Sequence, residues 1–271
     1  MGLLNVTPDS FSDGGVFYDT GAAVEQALRM FDEGAAIIDI GGESTRPGKD
    51  TVVSAQEEID RVVPVILSIL AHRPASILSI DTYKSKTARA AVEAGAEIVN
   101  DVSGFLWDDT LAGTCAELGC GVILMHTRGR PDEWRGLPRL DPNEVVPLVK
   151  GELADRLAVA QAAGISEQKI ALDPGFGFGK IFADNYPLLA HFGELRDLGR
   201  PLMAGVSRKS FLGRALAPLR GGVDAPVDER ENATLAATAA AILNGADLVR
   251  VHDVGPTAEA AAIADAILAA L

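Results

Sequence analysis

The chain has 271 residues, of which 48% are hydrophobic and 5% aromatic, and its formal net charge at pH 7 is −14. This length suits one large α/β domain, and we predict a single domain over residues 1–271. The acidic balance without a basic stripe argues against nucleic-acid binding, and no apolar run reaches the roughly 18 residues that a membrane span needs.

Eight short apolar segments, rich in β-branched residues, predict β-strands. They cover residues 2–6, 35–42, 76–81, 97–104, 121–126, 169–175, 201–207 and 248–253. Helical patterns lie between them, with apolar residues spaced by three and four. These patterns cover residues 59–70, 88–92, 143–163, 231–244 and 256–270.

The alternation of strand and helix predicts an α/β protein with a parallel sheet. Eight such units in about 250 residues match the size and strand count of a closed (β/α)8 TIM barrel. A doubly wound open sheet is the alternative, and the strand count favours the barrel. In such a barrel the active site lies at the carboxyl ends of the strands.

The chain contains two cysteines, Cys115 and Cys120. Two are too few for a disulfide framework, and they lack the neighbouring His or Cys that a zinc site requires. We therefore expect buried, reduced thiols. The first residues also lack the basic and apolar regions of a signal peptide, so we expect a cytoplasmic protein.

Polar residues lie at or just after the carboxyl ends of all eight predicted strands. In chain order they are Asn5; Glu43, Thr45 and Arg46; Asp81; Asn100 and Asp101; His126 and Arg128; Asp173; Lys209 and Ser210; Arg250 and His252. Each has an ordinary structural alternative, since an Asp after a strand is often a helix N-cap and a lone His is often a core residue. Their recurrence at every strand end favours a functional rim.

The rim residues suggest two kinds of ligand group. Asp81 and Asp173 could each accept paired hydrogen bonds from the N–C–N edge of a pterin or guanine, and Asn100 could read an adjacent mixed edge. The cations Lys209, Arg250 and the potential cation His252 come late in the chain, where barrels commonly bind phosphate. The amide oxygen of Asn5 could bind a Mg²⁺ that shares phosphate oxygens.

Seven sequence blocks together resemble the dihydropteroate synthase family. They are GLLNVTPDSFSDGG, DIGGESTRPG, SIDTYK, IVNDVSG, LDPGFGFGK, GVSRKSFLG and GADLVRVHD, and they run in the family's order from residue 2 to residue 253. The resemblance implies a TIM barrel, a homodimer and the folate pathway. It also implies Mg²⁺ and a reaction of 6-hydroxymethyl-7,8-dihydropterin diphosphate with p-aminobenzoate, which sulfonamides mimic.

The resemblance implies roles for individual residues of this chain. The pterin would be held by Asp81, Asn100, Asp173 and Lys209, with Met125 lining the pocket. The diphosphate would be held by Arg250 and His252, and the metal by Asn5. The p-aminobenzoate site would be shaped by Thr45, Arg46, Pro47, Phe178 and Ser210, with Phe11 and Asp13 contributed by the first loop. The catalytic residues would be Asp13, Arg46, Lys209, Arg250 and His252, with Asp13 stabilising a developing pterin cation.

Three other functions remain open from the residues. A methyltransferase that moves a methyl group from methyltetrahydrofolate to a corrinoid would share Asp81, Asn100 and Asp173. A non-catalytic paralogue would bind a pterin without turnover. A Schiff-base aldolase would use Lys209, which would then need a lowered pKa.

Overall fold

The computed structural model describes residues 1–7, 20–43 and 53–271. Eight β-strands lie within these ranges: β1 (Gly2–Asn5), β2 (Ile37–Gly41), β3 (Ile77–Asp81), β4 (Ile98–Asp101), β5 (Gly121–Met125), β6 (Ile170–Asp173), β7 (Met203–Ala204) and β8 (Leu248–Val249). Each falls inside one of the predicted segments. The last two strands are shorter than predicted, although one further ladder bond follows them, from the Arg250 amide to the Ala204 carbonyl at 3.1 Å.

Nine α-helices occupy the described residues, and each predicted helical segment coincides with one of them to within two residues at either end or lies inside it. They are α1 (Thr20–Asp32), α2 (Ala55–His72), α3 (Ser85–Glu93), α4 (Leu111–Leu118), α5 (Val145–Ala162), α6 (Asn185–Ala190), α7 (Ser210–Ala215), α8 (Glu231–Leu243) and α9 (Val254–Leu268). Short 3-10 helices cover Trp134–Gly136, Glu167–Lys169, Phe182–Asp184, Phe192–Leu198, Ala217–Arg220 and Val227–Glu229.

The chain divides into two compact units. The first contains Met1–Met125 and Arg156–Ile170, and the second contains His126–Asp155 and Ala171–Leu271. The prediction of one domain over residues 1–271 stays a prediction.

The first unit is built on a parallel sheet in which β1 to β5 follow one another in sequence order. The register pairs Asn5 with Gly41, Gly41 with Asp81, and Asp81 with Asn100. Because all strands run the same way, these four residues form one row at the carboxyl ends of neighbouring strands.

Buried aliphatic residues hold the first unit together. Ile38, Ile40, Leu78 and Ile80 are fully buried, since both faces of a parallel sheet are covered in α/β proteins. Helix α2 contributes a row of four fully buried side chains at helical spacing: Val62, Val65, Ile66 and Ile69. The Ser54 hydroxyl caps this helix by accepting a hydrogen bond from the Glu57 amide at 3.2 Å.

In the second unit β7 and β8 pair in parallel, and Leu172 of β6 bridges to Leu202 before β7. The core beside these strands is aromatic. Phe176 stacks with Phe192 and with Phe211, each at 6.2 Å between ring centroids. This packing holds the segment that follows β6 against α7.

Both cysteines are buried free thiols, as predicted. Among the described residues, no helix is long and apolar enough to cross a membrane.

Candidate functional site

In the first unit, Asn5 and Asp81 project over a glycine. A Cβ atom placed on Gly41 would lie 3.6 Å from the Cβ of Asp81 and 3.9 Å from Oδ1 of Asn5. Gly41 stands between these two residues in the sheet row, so its missing side chain leaves the space that their polar groups occupy. The amide and carboxylate oxygens therefore share one opening at the strand ends.

Asn100 completes this row and is oriented by a buried acid. Its Nδ2 donates to Oδ2 of Asp39 at 2.9 Å, and Asn100 is 6% exposed while Asp39 is fully buried. The bond fixes the plane of the side-chain amide and leaves the side-chain oxygen Oδ1 of Asn100 pointing away from Asp39. Sequence reasoning missed Asp39; the signal was an acid inside the apolar strand AAIIDIGG.

Asp101, the next residue, has a structural role rather than a ligand-binding one. Its carboxylate accepts hydrogen bonds from the Ser103 amide at 2.8 Å, the Ser103 hydroxyl at 2.7 Å and the Phe105 amide at 2.5 Å. Burial raises the pKa of Asp101 to about 6, and those two amides oppose the increase. The turn that follows Asn100 is thereby fixed.

Glu43, another rim residue, enters an ion network just beyond the carboxyl end of β2. Lys84 Nζ donates to Glu43 at 2.5 Å and to Glu58 at 2.9 Å. Burial lowers the pKa of Lys84, but the two carboxylates outweigh it, and the pKa lies above its ordinary value. The other Glu43 oxygen accepts from the Val53 amide at 3.2 Å. Both carboxylate oxygens of Glu43 therefore have partners within the protein, and the role of Glu43 is structural.

In the second unit, Asp173 ends β6 and is 4% exposed. Its Oδ1 accepts from the Gly175 amide at 2.7 Å, and a Cβ on Gly205 would lie 3.6 Å from its Oδ2. Burial raises its pKa, whereas the Gly175 amide and the cations Lys209, Arg250 and Lys180 act to lower it. A buried carboxylate among cations suits a ligand that offers hydrogen-bond donors.

Lys209 lies over an aromatic ring. Its Nζ is 4.1 Å from the centroid of Phe178, which favours the charged ammonium. Lys209 precedes α7, whose first residue, Ser210, is exposed. The structure thus brings together Lys209 and Phe178, two of the residues assigned by resemblance.

His252 and Arg250 follow β8, and a serine orients the imidazole. Ser207 Oγ lies 2.9 Å from Nδ1 of His252 and accepts from the His252 amide at 3.3 Å. The neighbouring residues Arg208 and Asp253 form a bidentate ion pair with contacts of 2.7 to 3.1 Å. The ends of β7 and β8 are therefore joined by two side-chain contacts.

His126, at the end of β5, is a buried neutral imidazole. Burial lowers its pKa to about 4, with Lys180 acting in the same direction and Glu152 opposing. Its Nε2 lies 3.0 Å from Glu152, and its amide donates to the Asp173 carbonyl at 2.9 Å. His126 thus supports the backbone of Asp173.

Five assigned residues, Phe11, Asp13, Thr45, Arg46 and Pro47, lie outside the described residues. Met125, the last residue of β5, is described and 5% exposed. The predicted contribution of the first loop and most of the p-aminobenzoate site therefore stay predictions.

The described residues fit Mg²⁺ only as a metal shared with a ligand. Among them, no cluster of three or more His, Cys, Asp or Glu side chains could hold a metal ion. Asn5 offers a neutral oxygen beside the carboxylate of Asp81 across Gly41. Mg²⁺ is commonly held by one or two protein oxygens together with substrate phosphates, and such oxygen donors suit it.

Comparisons with known proteins match nearly the whole chain. A family described as "Pterin binding enzyme" matches residues 1–252. The dihydropteroate synthase of Clostridium beijerinckii is 42% identical over 269 residues, which are 99% of this chain and 93% of that protein.

Solved structures agree with this match. A Clostridium difficile dihydropteroate synthase determined with pteroic acid has a TM-score of 0.88 at 40% identity, covering 98% of this chain and 95% of that one. The Xanthomonas albilineans enzyme with 4-aminobenzoic acid has a TM-score of 0.87 at 44% identity, covering 99% and 92%. These similarities confirm the predicted (β/α)8 fold class.

Proposed function

The chain belongs to the pterin-binding enzyme family, and we propose that it catalyses the dihydropteroate synthase reaction. In this reaction 6-hydroxymethyl-7,8-dihydropterin diphosphate and p-aminobenzoate give 7,8-dihydropteroate and pyrophosphate, a group transfer. The observation that carries the proposal is the buried Asp173 acted on by Lys209 and Arg250. A carboxylate for an N–C–N edge and cations for a diphosphate are the groups this substrate needs.

The pterin is assigned to acceptors that the fold already orients. Asp173 accepts from the N–C–N edge of the ring, and its bond from the Gly175 amide holds the carboxylate plane. Asp81 accepts from the remaining polar edge, and Asn100, oriented by Asp39, pairs with the mixed donor and acceptor groups there. Met125 lies at the end of β5, where its thioether adapts to a flat ring.

The diphosphate is assigned to Arg250 and His252. As the bond between the pterin methylene carbon and the diphosphate oxygen breaks, negative charge moves onto the leaving group, and these side chains stabilise that charge. Ser207 holds the His252 ring in place for this contact. A Mg²⁺ held through Asn5 would supply further neutralisation of the diphosphate.

The amine of p-aminobenzoate is neutral at pH 7, so its lone pair attacks without prior deprotonation. The carbon–nitrogen bond forms at the methylene carbon, pyrophosphate departs with the bonding electrons, and the amine then releases a proton to solvent. Phe178 supplies an aromatic face for the benzoate, with Ser210, Thr45, Arg46 and Pro47. Lys209, which lies over that ring, is assigned to the pterin. Positioning is the main requirement for this weak nucleophile.

Pyrophosphate release by the purified protein tests the proposal. We expect release only when the pterin diphosphate and p-aminobenzoate are both present, and loss of release when EDTA removes the metal. Release without p-aminobenzoate would mean hydrolysis, and no release with pterin binding intact would favour the non-catalytic paralogue. Either result would contradict the synthase.

Two further assays separate the remaining alternatives. Methyl transfer from methyltetrahydrofolate to a corrinoid would identify the methyltransferase. Borohydride trapping of a carbonyl substrate on Lys209 would identify the aldolase, which the ammonium's place over the Phe178 ring disfavours. The homodimer and the cytoplasmic location stay predictions, and sedimentation velocity tests the first.

A further inference from the structure

Lys180, the last residue of the motif DPGFGFGK, has no role in the reaction described above, yet it is almost completely buried. Only 4% of the residue is exposed. Removing an ammonium from water is costly unless hydrogen bonds and charges compensate it. A buried lysine beside a binding carboxylate therefore calls for an explanation.

The ammonium of Lys180 binds the backbone of the turn that precedes it. Nζ donates to the carbonyl of Gly175 at 2.8 Å and to that of Phe178 at 3.3 Å, and it lies 3.5 Å from the carbonyl of His126. These acceptors come from both ends of the glycine-rich turn and from the end of β5. The ammonium thus cross-links three points of the backbone.

The turn benefits from such a cross-link because three of its glycines have a left-handed backbone conformation. Gly175, Gly177 and Gly179 have φ values of 66°, 82° and 68°. At Gly179 an added Cβ would lie 2.6 Å from the Cβ of Arg128, so a side chain has no room there. Glycine gains the most entropy on unfolding, so a turn rich in glycine is intrinsically soft.

Two residues assigned to substrate binding depend on this turn. The Gly175 amide holds Oδ1 of Asp173 at 2.7 Å. The ring of Phe178 lies under Lys209 at 4.1 Å and meets the Trp134 ring edge-on at 5.3 Å. A shift of the turn would move the carboxylate's partner and the aromatic face together.

We propose that Lys180 is a positioning residue, whose ammonium holds the glycine-rich turn in the shape that places Asp173 and Phe178 for substrate. This role rests on the proposed function and assigns one further residue to it. Lys180 touches neither substrate in this scheme and acts through the backbone alone.

The charge of Lys180 is adjustable near neutral pH. Burial lowers its pKa to about 7; Asp173 and Glu152 favour the ammonium, whereas Lys209 and Arg128 oppose it. Asp173 ends β6, Glu152 lies on α5, Lys209 follows β7 and Arg128 follows β5. The His126 ring, which also faces Lys180, is neutral. Because the ammonium is the positioning form, the turn is held below this pKa and loosens as pH rises through it.

The fluorescence of Trp134 reports on the conformation of the glycine-rich turn and does not require catalysis. In a Trp107→Phe background, Trp134 is the only tryptophan of the chain. We expect its emission to titrate with a midpoint near pH 7 as Phe178 shifts, and the transition to vanish in Lys180→Met. The matched control is Lys169→Met, which removes a lysine that also donates to a backbone carbonyl, that of Gly119, and should keep the transition.

Two outcomes of this titration overturn the proposal. One is a flat emission profile from pH 5 to pH 9 in the Trp107→Phe protein with Lys180 intact, which needs no change at Lys180 and so does not depend on how a variant folds. The other is a transition that persists in a folded Lys180→Met protein.

Kinetics then tests the link to the reaction. We expect Lys180→Met to raise the KM for p-aminobenzoate by about tenfold or more, as small misplacements of binding groups do, and to remove the alkaline fall in kcat/KM. An unchanged KM with an unchanged pH profile overturns the positioning role. If the unmodified protein releases no pyrophosphate, the proposed function fails, while the Trp134 titration still decides what Lys180 does.

Discussion

The two units treat buried charge in different ways. In the first unit, Glu43 and Glu58 share the ammonium of Lys84, so that each acid has a compensating cation within 2.9 Å. In the second unit, Lys180, Lys209 and Arg250 all act on the single carboxylate of Asp173. Charges that are paired within the protein contribute to its structure. Several cations around one acid create a positive potential, and this potential attracts an anionic ligand.

Removing Lys84 tests whether the ion network of the first unit is structural, and we expect it to give the largest change in free energy among the proposed variants. In Lys84→Met, Glu58, which is 1% exposed, loses its cation. A buried charge without its partner costs about 3–5 kcal/mol of unfolding free energy. Urea denaturation measures it, with Lys150→Met as control, since its ion pair with Asp197 is partly exposed and contributes less than about 1 kcal/mol. Equal losses in both variants would contradict a structural network at Lys84.

Asp173→Asn tests the functional half. The amide removes the negative charge that the pterin edge requires and introduces a donor among cations. We expect a loss of about 2–5 kcal/mol in binding free energy for the pterin diphosphate, measured by calorimetry without p-aminobenzoate. Asp197→Asn, at an exposed acid of the same unit, is the control. Wild-type affinity in Asp173→Asn would show that the pterin assignment is wrong.

His126 gives the second unit a sensitivity to acid. The pKa of His126 is lowered from 6.5 to about 4, so between these values the unfolded chain binds a proton that the folded protein does not. Stability therefore falls as pH decreases from 6.5 to 4, by about 3 kcal/mol from this residue. His126→Gln should remove that part of the fall, and the exposed His191→Gln should not. Identical pH dependence in both variants would argue against a buried neutral His126.

Arg250→Ala should give the smallest of these effects. Losing charge-assisted hydrogen bonds to the diphosphate should cost about 1.5–3 kcal/mol of affinity for pyrophosphate. Affinity for pteroic acid, which carries no diphosphate, should stay nearly constant. Inhibition constants for both ligands measure this difference, and Arg220→Ala, at an exposed pair with Glu229, is the control. Equal weakening of both ligands would place Arg250 in the pterin set instead.

Much of the fold and site could be predicted because both depend on local patterns. Apolar segments of strand length define where the strands lie, and parallel connection brings their carboxyl ends to one edge. Asn5, Asp81 and Asn100 are accordingly in one row of the first unit, as expected from their places at the carboxyl ends of strands. The two-residue lengths of β7 and β8 could not be predicted, because strand pairing depends on partners that lie far apart in the chain.

Sequence by itself determined the alternation of strands and helices, the polar residues at strand ends and the family resemblance, since all three are written in neighbouring residues. Tertiary structure decided which of those polar residues pair with other residues of the protein. Asn100 meets Asp39 across 61 positions, Glu43 is taken by Lys84 across 41, and Lys180 is buried under the carbonyl of His126. Partners so far apart in the chain, and the burial that shifts a pKa, exist only after folding.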